Sequence, residues 1–150
     1  MTPHTIRDAK RADLPQIMAL LADDPLGHGR ESTDLETYQA AFDRMTAVPG
    51  NVYMVVDDGT DVLACLQYTM IHGLSRAGAS RAQIEGVRVS PNARGLGIGE
   101  TLMKAAIDRA QADGCSLVQL TTDKSRVRAH TFYERLGFTP SHVGMKLNLT

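Results

Sequence analysis

Hydrophobic and polar positions change period along this chain, and each change marks an element. Residues 5–9 predict a short first strand. Leu14, Ile17, Met18 and Leu21 then recur at helical spacing, with Asp13 as N-cap and Pro15 in the first turn, where a missing N–H leaves nothing unpaired. Residues 23–32 are rich in Asp, Gly and Pro and predict a loop. Leu35, Tyr38, Ala41, Phe42 and Met45 mark a second helix that ends before Pro49 and Gly50.

Residues 53–56 predict a strand, Asp57-Asp58-Gly59 its turn, and residues 62–71 the long second arm of the hairpin. Residues 72–81 carry small residues, two glycines and two arginines and read as a loop; residues 84–89 read as the next strand, stopped by Ser90 and Pro91. Leu102, Met103, Ala106, Ile107 and Ala110 form the buried stripe of a helix over 98–113, with Gly114 as its left-handed cap. Residues 117–120 predict a buried strand. Ser125 is the N-cap of a last helix, defined by Ala129, Phe132, Tyr133 and Leu136 and capped by Gly137; residues 143–149 alternate and predict a final strand. The order describes a mixed α/β domain with an antiparallel front half and a βαβ-type back half. No repeat or linker interrupts it, so one domain is expected over residues 1–150.

Composition narrows the functions. The chain has 150 residues, 43% hydrophobic and 22% charged, the balance of a soluble globular protein. A formal net charge of −1 gives no basis for general nucleic-acid binding. No apolar run nears the roughly 18 residues of a membrane span, and residues 1–10 lack the apolar core of a signal peptide. Cys65 and Cys115 lie in apolar runs without metal-ligand spacing, which predicts two buried thiols in a reducing cytoplasm.

The stretch Arg94-Gly95-Leu96-Gly97-Ile98-Gly99 joins a predicted strand to a predicted helix. Glycines let a backbone turn sharply and let a ligand approach closely. A helix N-terminus adds unpaired N–H groups and a partial positive charge, and together these suit a pyrophosphate. A P-loop would require Lys then Ser or Thr after the last glycine, whereas Glu100 and Thr101 follow here. A dinucleotide fingerprint would lie in the first βαβ unit, with an acidic residue about 20 positions on. Neither pattern fits, and a glycine-rich turn without a ligand stays possible on the loop alone.

With its flanks, the chain resembles the GNAT superfamily of acetyl-CoA-dependent N-acetyltransferases. Ile84-Glu85-Gly86-Val87-Arg88-Val89 is similar to the family's central fourth strand, and residues 94–99 match its Arg/Gln-x-x-Gly-x-Gly/Ala loop. Ala129-His130-Thr131-Phe132-Tyr133-Glu134-Arg135-Leu136-Gly137-Phe138 resembles its second signature. The resemblance implies an acyl-CoA N-acyltransferase fold: a central mixed, twisted sheet of six to seven strands flanked by four helices. It departs at Arg126, where family members often carry an Asn that contacts the cofactor; an arginine can reach a phosphate instead.

The resemblance also implies roles. Acetyl-CoA is the co-substrate and no metal is required. The N–H groups of Leu96, Gly97, Ile98 and Gly99, with Arg94, would hold the pyrophosphate beside Gly95 and Glu100. Val87 and Val89 would pair with the pantetheine arm, flanking Arg88, and the Val87 N–H would stabilise the oxyanion. Phe132 and Arg126 would complete the cofactor site. Tyr133 is the candidate general acid. A thiol titrates near 8.5 and a tyrosine near 10, so Tyr133 would hydrogen-bond the sulfur and release its proton only as charge builds. On its own helix it also reads as a core tyrosine. Glu85 is the candidate general base, acting through water, or else a partner of Arg81 or Arg88 in a strand-end ion pair.

The implied acceptor is the primary amine of a small molecule. Residues 24–33 and 72–83 would build its site, with Arg30, Arg76 and Arg81 available for an acceptor anion or simply solvated. The same segments are natural surfaces for a homodimer. His28, His72 and His142 fall in loops or at strand ends, and His130 on the last helix. A peptide or protein N-acetyltransferase and a non-catalytic acetyl-CoA-binding regulatory module are the alternatives.

Overall fold

Four alternating apolar runs assemble into antiparallel ladders at the front of the sheet. In a computed structural model describing residues 3–24, 26 and 29–150, these are β1 (Thr5–Asp8), β2 (Asn51–Asp57), β3 (Val62–Ile71) and β4 (Arg81–Val89). Each pairs antiparallel with the next, and β5 (Leu117–Leu120) adjoins β4, giving the order β1-β2-β3-β4-β5. The β4–β5 connection runs through a helix, as a parallel crossover requires, so the sheet is mixed. The remaining elements are helices α1 (Leu14–Ala22), α2 (Leu35–Thr46), α3 (Ser75–Gly78), α4 (Ile98–Ala112) and α5 (Val127–Arg135), with short 3-10 turns at Arg11–Asp13 and Pro91–Ala93. Among the described residues no helix is long and apolar enough to cross a membrane. Pro25, Gly27 and His28, all read above as loop, lie outside the described residues.

The chain forms two compact units, Met1–Gln119 and Leu120–Thr150. In the first, α1 and α4 pack on the sheet. Ile17 and Leu20 of α1 cluster with Val55, Val62 and Cys65, while the α4 stripe Leu102, Met103, Ala106 and Ala110 is buried throughout. A polar lock closes this core. The fully buried Tyr68 donates its hydroxyl proton to Asp113 Oδ2 at 2.8 Å, just past the C-terminus of α4. Arg109 of α4 lies over the Tyr68 ring at 5.2 Å and donates to Asp8 Oδ1 at 2.6 Å. Burial, then the Asp113 carboxylate, push the Tyr68 hydroxyl above its ordinary range.

Several sequence expectations need correction. Among the described residues the sheet has five strands, not six or seven. Residues 143–149 are not a strand, because alternation becomes a strand only where a neighbour supplies ladder bonds. Their apolar side chains, Val143, Met145, Leu147 and Leu149, are 77–92% exposed. The 72–81 loop contains the single turn α3, whose Arg76 and Ala77 take left-handed backbone, and β4 starts at Arg81 rather than Ile84. Ser125 does not cap α5. Its N–H and hydroxyl both bond Asp123 Oδ1, and the N-cap position falls to Arg126, whose side chain makes no capping bond. Cys65 is buried, but Cys115 only half-buried.

Candidate active site

The register of β4 breaks at one point. Cys65 stands opposite Arg88 and Gln67 opposite Glu85, so Leu66 alone faces both Gly86 and Val87. This is a β-bulge, which bends a strand and re-aims the side chains beyond it. Gly86 adopts φ +61, and a Cβ there would come within 3.1 Å of the Tyr53 hydroxyl oxygen and 3.7 Å of Leu21 Cδ2. Backbone conformation and close approach both call for glycine.

Beyond the bulge, Arg88 faces Asp24, with Nη2 to Oδ2 at 3.5 Å, and its Nη1 donates to the Val87 carbonyl at 2.9 Å. The Arg88 Nε is buried without a partner among the described residues. Val89 lies opposite Ala64. Before the bulge, register places Tyr53, Gln67 and Glu85 in one row across three strands, and therefore on one face of the sheet. The exposed Glu85 carboxylate accepts from Gln83 Nε2 at 2.6 Å, and Gln83 Oε1 accepts from Gln119 Nε2 at 2.9 Å. Among the described residues no ion pair joins Glu85 to Arg81 or Arg88.

The glycine stretch is built as a loop feeding a helix. Gly95 and Gly97 take φ +80 and +75, and no heavy atom lies within 4 Å of a Cβ placed on either. Here only the conformation requires glycine, and the space beside it is open to a ligand. Gly97 is the N-cap of α4, and its carbonyl accepts from the Thr101 N–H and hydroxyl, both at 3.0 Å. The N–H groups of Ile98, Gly99 and Glu100 therefore have no acceptor within the helix. Arg94 Nη2 donates to Asp23 Oδ2 at 3.2 Å, and Glu100 pairs with Lys104 at 3.1 Å. Leu96 is exposed.

A cavity of about 440 Å³ opens on the Tyr53–Gln67 side of the sheet. Leu14, Ile17 and Leu21 of α1, Phe42 and Met45 of α2, and Tyr53 line its apolar part; Arg44, Asn51 and Gln67 supply polar groups. Burial pushes the Tyr53 hydroxyl above its ordinary range, and raises the neighbouring Cys65 thiol to about 12. Arg30, Arg76 and Arg81, which the sequence offers for an acceptor anion or as solvated charges, do not line this cavity. Arg30 lies 3.7 Å from Glu31, Arg76 sits in α3, and Arg81 opens β4. Arg44 was not anticipated. Its signal was position, three residues after Ala41 on a helix read only for its apolar residues.

In the second unit, Tyr133 lies edge-on to both Phe132 (5.2 Å between centroids) and Phe138 (6.0 Å). The Tyr133 carbonyl accepts from Leu136 and Phe138 N–H, both at 3.1 Å, and Gly137 takes φ +100 to close the helix. The Arg126 N–H bonds the Asp123 carbonyl at 3.0 Å. His130 Nε2 lies 3.0 Å from that same carbonyl. Among the described residues no group of three His, Cys, Asp or Glu could hold a metal ion.

A bulged central strand, a glycine loop feeding a helix and an aromatic-Tyr helix are the parts expected of an acyl-CoA transferase. Residues 14–138 match the Acetyltransferase (GNAT) family. The chain belongs to that family. It is 29% identical over 140 residues to L-methionine sulfoximine/L-methionine sulfone acetyltransferase of Pseudomonas aeruginosa, covering 89% of this chain and 79% of that one. It is 32% identical over 92 residues to mycothiol acetyltransferase of Beutenbergia cavernae, covering 61% of this chain and 29% of the relative's length. The crystal structure of a transcriptional regulator from Bacillus halodurans C-125 matches with a TM-score of 0.94 and 43% identity, over 98% of this chain and 100% of that one.

Proposed function

We propose that this chain is an acetyl-CoA-dependent N-acetyltransferase that moves an acetyl group directly onto the primary amine of a small molecule. The observation carrying this reading is the bulge at Gly86 and Val87, which lies between Glu85 and the glycine loop on one continuous stretch of chain. The curated relatives, named for small-molecule acceptors, support it. The family match runs across both units, which supports one acetyltransferase domain over residues 1–150.

Acetyl-CoA supplies the activated acetyl thioester. The N–H groups of Leu96, Gly97, Ile98 and Gly99 hold the pyrophosphate, for which the space beside Gly95 and Gly97 is open, with Arg94 exchanging Asp23 for phosphate oxygens. Glu100, Arg126 and Phe132 border the cofactor, and Arg88 fixes the peptide between Val87 and itself through the Val87 carbonyl. The Val87 N–H hydrogen-bonds the acetyl oxygen as negative charge develops there. Val87 and Val89 pair with the pantetheine arm through their backbones. Glu85, oriented by Gln83, accepts the amine proton through water, and Tyr133 donates a hydrogen bond and then a proton to the leaving sulfur.

We also infer a homodimer, supported by the row of exposed apolar side chains at Val143, Met145, Leu147 and Leu149. Light scattering on a sizing column tests this. A cytoplasmic location accords with the free thiols Cys65 and Cys115. The test of activity is release of coenzyme A thiol with a panel of amines. Amine-dependent release bears the proposal out, and none at millimolar acetyl-CoA sinks it. The Bacillus halodurans relative is described as a transcriptional regulator, which favours as second reading a non-catalytic acetyl-CoA-binding module. A melting-temperature rise with acetyl-CoA but no turnover selects that reading.

A further inference from the structure

The cavity between α1, α2 and the sheet has divided chemistry. Its floor is hydrocarbon, from Leu14, Ile17, Leu21, Phe42 and Met45. Its polar groups include Arg44, Asn51 and Gln67, from α2, β2 and β3, beside the hydroxyls of Tyr38, which donates to Glu31 Oε1, and of Tyr53. Arg44 has no ion-pair partner among the described residues. Asn51 Oδ1 accepts from Gln67 Nε2 at 3.0 Å and from Thr69 Oγ1 at 3.1 Å. Those two bonds use the Asn51 acceptor, and among the described residues the Asn51 NH2 donors and the Gln67 Oε1 acceptor have no partner. Next to Gln67 in the same cross-strand row stands Glu85, at the spacing of about 5 Å between directly opposed Cβ atoms.

The free polar groups thus sort by sign. Arg44 and the Asn51 NH2 are donors, one of them charged. Gln67 Oε1 is an acceptor, and beside it in the row the charged Glu85 carboxylate, one oxygen of which takes the Gln83 bond, keeps its other oxygen as a second. A single small molecule satisfies both pairs if it carries an anion next to an amine, and the hydrocarbon floor asks for an apolar remainder.

We propose that this cavity is the acceptor site and that it selects an α-amino acid with an apolar side chain. Arg44 and Asn51 hold the carboxylate, and Gln67 holds the amino group beside Glu85. Arg44 is then a specificity-determining residue. The proposal rests on the acetyltransferase reading of the same site. A guanidinium and an amide offer a carboxylate parallel N–H donors, and a volume of about 440 Å³ leaves room for the side chain above the floor.

Three acceptors with one side chain separate the elements: L-methionine, L-methioninamide and 3-(methylsulfanyl)propylamine. Wild type and Arg44→Gln are compared on each by coenzyme A release. The amine acceptors differ in intrinsic reactivity, so the ratio of variant to wild type is read within each acceptor, where that difference cancels. The variant is expected to raise KM for L-methionine about tenfold or more, the scale of one lost charge-assisted bond. The two acceptors without a carboxylate should change less than twofold. Asn51→Asp, which keeps the shape of the side chain, should penalise L-methionine in the same selective way, and Arg44→Lys should restore part of the loss. An equal effect on all three acceptors overturns the proposal while leaving the acetyltransferase standing. A wild type that prefers the two acceptors lacking a carboxylate also overturns it. Absence of transfer to any amine overturns the acetyltransferase reading and this proposal with it.

Discussion

Arg88 and Asp24 form an ion pair that is nearly closed to water. Their side chains are 13% and 7% exposed, with Nη2 and Oδ2 3.5 Å apart. The pair fixes the chain just after α1 to the strand segment just after the bulge. Removing the carboxylate strands a guanidinium whose Nε already has no partner among the described residues. Asp24→Ala is expected to lower unfolding stability by about 3 kcal/mol, the scale for breaking a buried pair from one side. Urea unfolding monitored by circular dichroism measures this. A change below about 0.5 kcal/mol would show that the pair is solvated.

Gly86 carries two separable demands. Gly86→Ala meets a left-handed backbone, worth about 1 kcal/mol, and the Tyr53 hydroxyl at 3.1 Å from the new Cβ. The variant should be less stable by about 2 kcal/mol in all, and less active because the Val87 N–H moves. Adding Tyr53→Phe removes the oxygen and should return the steric part only. Full recovery in the double variant would mean the backbone conformation is unstrained.

The Arg7 guanidinium clasps both oxygens of Asp13, at 2.7 and 2.9 Å, and the Lys10 N–H adds a bond at 2.7 Å. The Arg7 hydrogen bonds chiefly, and the Lys10 N–H after them, hold the Asp13 carboxyl below its ordinary range. A carboxylate depressed in the fold stabilises fully above its unfolded pKa, near 3.9, and that stabilisation is lost as pH falls through the folded value. Wild type should therefore lose melting temperature on acidification below about pH 4. Asp13→Asn should be the less stable protein at pH 7, and the gap between the two should narrow toward pH 2. A constant gap across that window would refute the assignment.

Tyr133 and Glu85 are distinguishable by kinetics. Tyr133→Phe should lower kcat about a hundredfold with unchanged acetyl-CoA affinity, since the role proposed for the hydroxyl is at the sulfur and not at the pyrophosphate. Glu85→Gln keeps the bond from Gln83 possible and should flatten the acidic limb of the pH profile of kcat/KM. An unaltered kcat removes Tyr133 from the chemistry, and an unaltered profile leaves Glu85 with a structural role alone.

Elements whose pattern is enforced by burial were legible in the sequence. The Leu102, Met103, Ala106 and Ala110 stripe is buried as its spacing required, and the glycine loop stands between strand and helix as read. What sequence could not supply was partnership. The alternation at 143–149 is genuine, yet no ladder follows from it, because pairing depends on a second strand rather than on the run itself. Arg81 and Arg88 were equal candidates for Glu85 by proximity in sequence, but the bulge turns Arg88 toward Asp24. Arg44 was hidden for a related reason. A charge on an amphipathic helix reads as solvated until the fold shows which cavity it rims.

The Tyr68 hydroxyl on Asp113 has an effect far from where it sits. Helix α4 has 15 residues, so it is about 22 Å long, with the glycine loop at one end and Asp113 just beyond the other. A rod pinned at its tail is aimed at its head. A tilt of about 5° at the pin would swing the opposite tip by about 2 Å, more than the phosphate-binding role proposed for the glycine loop would tolerate. The tyrosine thus serves as a hinge-stop for a loop at the far end of the helix.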